Sequence, residues 1–468
     1  MARDPLEGRA GAGRPVSAWR AAGPVSGPIA NLLDMFAVLL TVVRRLLMWL
    51  DPTGRVTSES PPGSLGPSPF TVLAGMRHTV FTRRYWSARV SRLRHSRTTA
   101  VPTIFKPELV LPSVSVPAGV AVPWPEQPVD LTQLSYEWEG RRRTVEDFMI
   151  DRETDGLVFI KDGTLVFEAY ANGFEAHTLH HCWSSTKAYV STLIGNAIHL
   201  GLIDDVADPI ERYLPAVRGS AWEGTSLHHL LRMESGVAWD EHTSHLFRNS
   251  QFAQWQRLTL DYLTDGRLGR TRDAFLLGLP RVEAPGARFN YNSANTQVLA
   301  WALEQVHAKP FAQVLAEQLW QPLGAQADAA TYTDRVGAAP ASMGLYATPR
   351  DFARLGQLML RGGLAPDGRR LLSDAWVAQA TEFSELSERQ YGYQWWENGP
   401  ELAGFTASGF TGNVISVAPA AEMVGVRTAH DFSIPPDYSR PSLESPVDMG
   451  REEFQALFAA VARELETS

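Results

Sequence analysis

Four lysines occur in this chain, Lys106, Lys161, Lys187 and Lys309, and only Lys187 has a serine three residues before it. The run is His181-Cys182-Trp183-Ser184-Ser185-Thr186-Lys187-Ala188-Tyr189. A Ser-x-x-Lys tetrad opening a helix is suited to acyl transfer. Serine is a poor nucleophile until a neighbouring base takes its proton. A lysine can be that base when burial or nearby cations depress its pKa. Residues three apart on a helix share a side, so Lys187 would face Ser184. The unpaired amides and dipole at the helix start would favour negative charge developing at Ser184. Arginine provides most of the basic residues and cannot give up its proton, so a lysine kept here points to a titratable amine. Trp183 and Tyr189 would exclude water. Taken alone, the tetrad equally fits a helix cap followed by a surface lysine.

A second element lies at Pro285-Gly286-Ala287-Arg288-Phe289-Asn290-Tyr291-Asn292-Ser293-Ala294-Asn295. A tyrosine beside a lysine ammonium is expected to have a lowered pKa and to relay a proton to a leaving group. Tyr393, Trp395 and Trp396 would line an acyl pocket or, as aromatic residues, belong to the core. Asp240 and Glu241 would meet a substrate amine or sit on a solvated loop. His177, His180, His181 and Cys182 match no usual zinc spacing, and no metal or cofactor is expected. No Gly-x-Ser-x-Gly elbow, phosphate loop or dinucleotide fingerprint is present.

The elements that must hold these residues are legible in outline. With 468 residues, 44% hydrophobic and 20% charged, the chain can bury a sizeable core. Its one cysteine excludes an internal disulfide framework, so compartment is not read from disulfides. Residues 1–100 carry 14 Arg against 5 Asp or Glu, while the whole chain has a net charge of -8. That asymmetry sets an N-terminal extension apart and suits an anionic surface or a solvated arm. Residues 1–28 read as a disordered leader and 29–50 as an amphipathic helix. The helix would lie on a membrane, pack on the body of the protein or form a poor span. Residues 51–129 read as linker and extended, Pro-rich chain, with a basic cluster at 77–97. Nucleic acid is not the expected partner, because the cluster is small and the main body acidic. A cytoplasmic protein is expected, with membrane-surface contact through residues 29–97 as one alternative to packing on the body. Oligomeric state is not legible.

The compact domain is expected over 130–468. Leu157 to Tyr170 reads as a hairpin with an Asp162-Gly163 turn, Asn413–Val417 and Met423–Thr428 as a second, and 451–465 as a closing helix. A helix is expected from Ser184 to Leu200, and 205–390 reads as mainly helical patterns and loops. Strands at both ends imply one antiparallel sheet with a helical insert.

With both motifs in hand, the chain resembles the serine β-lactamase and penicillin-binding protein superfamily, and within it the class C-like esterases and 6-aminohexanoate-dimer hydrolases. Thr225 to Gly236, Gly344 to Asp351 and Tyr391 to Trp396 add to the likeness. The resemblance implies an α/β (α+β) fold of antiparallel sheet flanked by helices, plus a mostly helical domain. It implies Ser184 as nucleophile, Lys187 as base and Tyr291 as proton relay, with Ser293 binding substrate. The third motif departs from the family pattern, with Ala407-Ser408-Gly409-Phe410 where a cation commonly stands. The backbone amides of Ser184 and Phe410 would hold the oxyanion. Ser408 and Gly409 would bind substrate, Gly409 by leaving room at the strand edge. The expected activity is hydrolysis of a small ester or amide through an acyl-enzyme. A β-lactamase or DD-peptidase, and a non-catalytic or membrane-tethered scaffold of the same fold, remain alternatives.

Overall fold

The computed structural model describes residues 112–131, 134–241, 250–259, 271–431 and 449–467. The helix expected at 29–50 and the basic cluster at 77–97 lie outside these residues. Among the described residues, no helix is long and apolar enough to cross a membrane.

The strands in chain order are β1 (Ser113–Val116), β2 (Ser135–Trp138), β3 (Arg141–Thr144), β4 (Thr154–Lys161), β5 (Thr164–Tyr170) and β6 (His180–His181). They continue with β7 (Ala329–Tyr332), β8 (Leu345–Ala347), β9 (Trp396–Glu397), β10 (Phe405–Gly409), β11 (Asn413–Ala418) and β12 (Met423–Ala429). The α-helices are α1 (Val145–Asp151), α2 (Thr186–His199), α3 (Leu227–Leu231), α4 (Gln251–Thr259) and α5 (Arg272–Leu277). After them come α6 (Ser293–His307), α7 (Phe311–Leu315), α8 (Pro349–Leu360), α9 (Asp374–Ala380) and α10 (Arg451–Thr467).

The main sheet has six strands in the order β5-β4-β12-β11-β10-β9, every pair antiparallel. Both expected hairpins are therefore in it, brought together by β12 pairing with β4. The β4–β5 turn has Asp162 at φ 51° and Gly163 at φ 74°. Two positive φ values match the twist of the flanking strands, which is why Asp-Gly is favoured there. Side chains alternate between two buried faces. Leu157, Phe159, Val414 and Met423 pack with Phe454 and Phe458 of α10. Val158, Ile160, Ile415, Val417, Val424 and Val426 enter the larger core with α2 and α8. A sheet covered on both faces reads as near-continuous apolar strands, and β4 and β11 do so.

A second sheet, with order β1-β7-β8-β6, was not expected. The region 205–390 supplies β7 and β8, so it is not helices and loops alone. The residues ahead of 130 also belong to the body. After β1 pairs with β7, Val122 N donates to Gly324 O at 3.0 Å, Gln127 N to Leu165 O at 2.9 Å and Val129 N to Val166 O at 2.7 Å. The Pro-rich stretch is thus extended chain stitched to both sheets.

The closing helix is clasped by charge. Glu453, buried in α10, lies 2.7 Å from Arg143 Nε, 2.5 Å from Arg152 Nε and 2.8 Å from Tyr136 Oη. Removing one partner of a buried cluster strands the others. Glu453→Gln is expected to lower the unfolding free energy by about 3 kcal/mol, read from the urea midpoint.

Candidate active site

Ser184 sits in a 3-10 turn, Trp183–Ser185, and α2 begins at Thr186, two residues later than expected. Trp183 has φ 46°. A bulky residue in the left-handed region is strained, by about 1–3 kcal/mol, and such strain clusters at functional sites. The turn is held in place by Thr186 Oγ1 donating to Trp183 O at 2.6 Å and by Ser185 N donating to Cys182 O at 3.1 Å. The Trp183 ring packs 4.1 Å from the His181 ring and 5.3 Å from that of Phe410.

Lys187, 1% exposed, places Nζ 3.0 Å from Ser184 Oγ and 3.2 Å from Ser342 O. Burial pulls its pKa down to about 8, and the Glu241 carboxylate works against that fall. A protein amine normally titrates near 10.4, so the neutral form is far more accessible here. Nζ also lies 4.8 Å from the centre of the Tyr291 ring. That ring stacks on Trp396 at 5.6 Å and meets Tyr391 edge-on at 6.0 Å. The Tyr291 phenol is not lowered as expected. Burial raises its pKa, the Glu241 charge adds to the rise, and a hydrogen bond with Ser184 opposes it. Desolvation is the largest of these effects, and it favours the neutral phenol.

Two long-range contacts bring these groups together. Asn290 N, next to Tyr291, donates to Met233 O at 2.8 Å, and Asn292 on the other side caps α6 by accepting from Ala294 N at 2.8 Å. Strand β10 comes beside the serine turn because Gly409 has no side chain. A Cβ there would lie 2.4 Å from Cys182 O and 3.2 Å from Ser185 N. The glycine therefore allows the close backbone packing of β10 on the serine turn. Trp183, Ser184, Tyr291, Ser408 and Phe410 are all partly exposed on this face, whereas Ala407 is buried. No cation occupies the Ala407 position.

The remaining expected residues divide. Trp396 adjoins Tyr291, but Tyr393 and Trp395 are core. Tyr393 Oη lies 2.6 Å from His228 Nδ1, and Trp395 packs edge-on against Phe405 at 5.2 Å. Neither lines an acyl pocket. Asp240 is half-buried, and its backbone carbonyl accepts from Phe252 N at 3.4 Å. Its neighbour Glu241 is the one that reaches the site, accepting from Ser293 Oγ at 2.7 Å. Ser293 is itself fully buried and its hydroxyl is directed to Glu241.

The histidine run is dispersed. His177 is exposed beside Glu175, His180 Nε2 lies 3.0 Å from Asp155 Oδ2, and His181 Nε2 donates to Met343 O at 2.6 Å. Asp155 also contacts His430 Nδ1 at 2.7 Å. Among the described residues no cluster suited to a metal is found. Sequence reasoning missed Ser342 and Tyr391. Ser342 acts through its carbonyl, which leaves no side-chain signal, and Tyr391 stood within a noted stretch.

The sequence and the fold are similar to those of known proteins. A family model described as Beta-lactamase matches residues 141–442. A curated 6-aminohexanoate-dimer hydrolase from Paenarthrobacter ureafaciens is 31% identical over 290 residues, 58% of this chain and 72% of that protein. A solved structure from Bacillus anthracis, with the provisional name 6-aminohexanoate-dimer hydrolase, superposes with TM-score 0.67 at 22% identity, covering 78% of this chain and 94% of that one. EstCE1, described as a hydrolase with promiscuous acyltransferase activity, gives TM-score 0.50 at 16% identity, over 67% and 95% of the two chains. The family match spans more than half of the chain and includes Ser184, Lys187 and Tyr291, so this protein belongs to the beta-lactamase family.

Proposed function

We propose that the protein is a serine hydrolase that cleaves a small ester or amide bond through an acyl-enzyme. One observation carries this reading: a buried amine, its pKa brought to about 8, lies 3.0 Å from the hydroxyl of a partly exposed serine. Lys187 in its neutral form takes the Ser184 proton as Oγ attacks the substrate carbonyl. The tetrahedral oxyanion is held by the amides of Ser184 and Phe410, donors fixed before reaction. Collapse breaks the bond to the leaving group, which receives the proton from Lys187 through the Tyr291 hydroxyl. Water then attacks the acyl carbonyl, its proton passes to Lys187, and Ser184 leaves with a proton restored. The curated 6-aminohexanoate-dimer hydrolase, 31% identical, supports an amide, and EstCE1, described as a hydrolase with promiscuous acyltransferase activity, supports acyl transfer. Buried Ala407 argues against a site built for a β-lactam carboxylate.

With p-nitrophenyl acetate or butyrate, a burst of nitrophenol equal to the enzyme concentration is expected. Ser184→Ala should remove it and lower turnover at least about 1,000-fold. Equal labelling of wild type and this variant by a serine-directed phosphonate would favour a non-catalytic protein instead. Rapid nitrocefin hydrolysis would replace the substrate class with β-lactams.

The base must be neutral, so kcat/KM should rise with pH through an apparent value near 8, shared by the coupled Lys187–Tyr291 pair. An acidic limb at the same place in Lys187→Met would assign it to another group.

The same burial predicts a stability effect. The unfolded chain holds its Lys187 proton up to about 10.4, the folded chain only to about 8. Below pH 8 the native state therefore carries a cost of roughly 3 kcal/mol, which disappears as pH rises toward 10.4. Wild type should gain that much relative to Lys187→Met between these limits, measured by urea titration at successive pH values.

A further inference from the structure

We propose that Glu241 is a positioning residue that braces the Tyr291 segment and supplies the negative charge facing Lys187. The catalytic consequence rests on the acyl-enzyme reading; the positioning itself does not.

Glu241 is gripped by three donors. Oε1 accepts from Ser293 Oγ at 2.7 Å, and Oε2 accepts from Ser293 N at 2.9 Å and Trp239 Nε1 at 2.8 Å. Ser293 is the first residue of α6, fifteen residues long, where backbone N–H groups lack helical partners and the dipole favours an anion. A second tie runs beside the first: Asn290 Nδ2 donates to Trp239 O at 3.1 Å. The segment 290–293, which carries Tyr291, is thereby fixed to 239–241. With both oxygens engaged, the carboxylate cannot swing away when the site fills.

The groups facing Lys187 leave this carboxylate distinctive. Ser184 offers a hydroxyl, Ser342 a carbonyl and Tyr291 a ring face, all uncharged. Tyr391 and Trp396 form the wall beyond Tyr291, and the guanidinium of Arg451 lies 5.8 Å from the Trp396 ring. Asp240, next in the chain, is half-buried. Among the described residues, Glu241 is the charged group that acts on Lys187, and it acts on Tyr291 and Tyr391 as well. Its effect on Lys187 is a compromise. Burial alone would make the amine more often neutral but a weaker base. A fixed carboxylate restores basicity, so that the amine can take a proton from serine and still pass it on.

The test uses the full chain labelled with 13Cε-lysine. Four lysines give few signals, and Lys187→Met assigns the one that matters. Glu241→Gln should move the Lys187 titration midpoint down by about one pH unit, with a roughly fivefold larger neutral fraction at pH 7. Glu241→Asp draws the charge back by one methylene and should move the midpoint part of the way. The acidic limb of kcat/KM should follow both. An unmoved Lys187 midpoint in whichever variants fold, even with lowered activity or stability, would overturn the charge role and leave a plain brace. The titration needs no turnover, so its outcome is separate from whether Ser184 acylates.

Discussion

The ammonium of Lys187 is costly where it sits, and much of the molecule is arranged around that cost. Nζ is enclosed by the Ser184 hydroxyl, the Ser342 carbonyl and the face of Tyr291, with no water-facing side. Desolvation penalises the charged form, so the amine gives up its proton far more readily than a surface lysine. Each neighbour comes from a different part of the chain. The enclosure exists only while the helix starts of α2 and α6, the turn before β8 and the end of β10 are held together.

That dependence gives the fold its purpose at the site. The six-stranded sheet provides a rigid edge, and β10 presents Gly409 to the serine turn at backbone distance. The small second sheet does the same from the other side. Strand β6 leads directly into Cys182 and Trp183, and β8 follows the turn that contains Ser342. His181 joins these two by donating to Met343 O, one residue from the carbonyl that receives Lys187. The strained Trp183 is retained because both sides are fixed.

Glu241 adds a third support of a different kind. It links the loop after Gly236 to the start of α6 and carries charge into an otherwise neutral enclosure. Burial and this carboxylate push the Lys187 amine in opposite directions, while both push the Tyr291 phenol upward. The base and the relay are therefore set by one local balance of desolvation and charge.

The chain's own pattern determined the parts that are local. Spacing put Ser184 and Lys187 on one side of a helix start, Asp162-Gly163 defined a tight hairpin, apolar runs marked β4, β5, β11 and β12, and an amphipathic pattern marked α10. These features follow from backbone geometry within a few residues. What only the tertiary structure decided is non-local. Strands β6 and β8 are too short to carry a period, and the 112–129 stretch is held by partners in β5, β7 and the Gly324 turn, far from it in sequence. Tyr393 and Trp395 look no different in composition from Trp396, yet only Trp396 reaches Tyr291. The direction of the Tyr291 shift depended on how fully it is desolvated, which a neighbouring lysine in a motif does not reveal. Burial, and the carbonyls and carboxylates that meet a buried amine, arise from packing between distant segments, and no spacing rule encodes them.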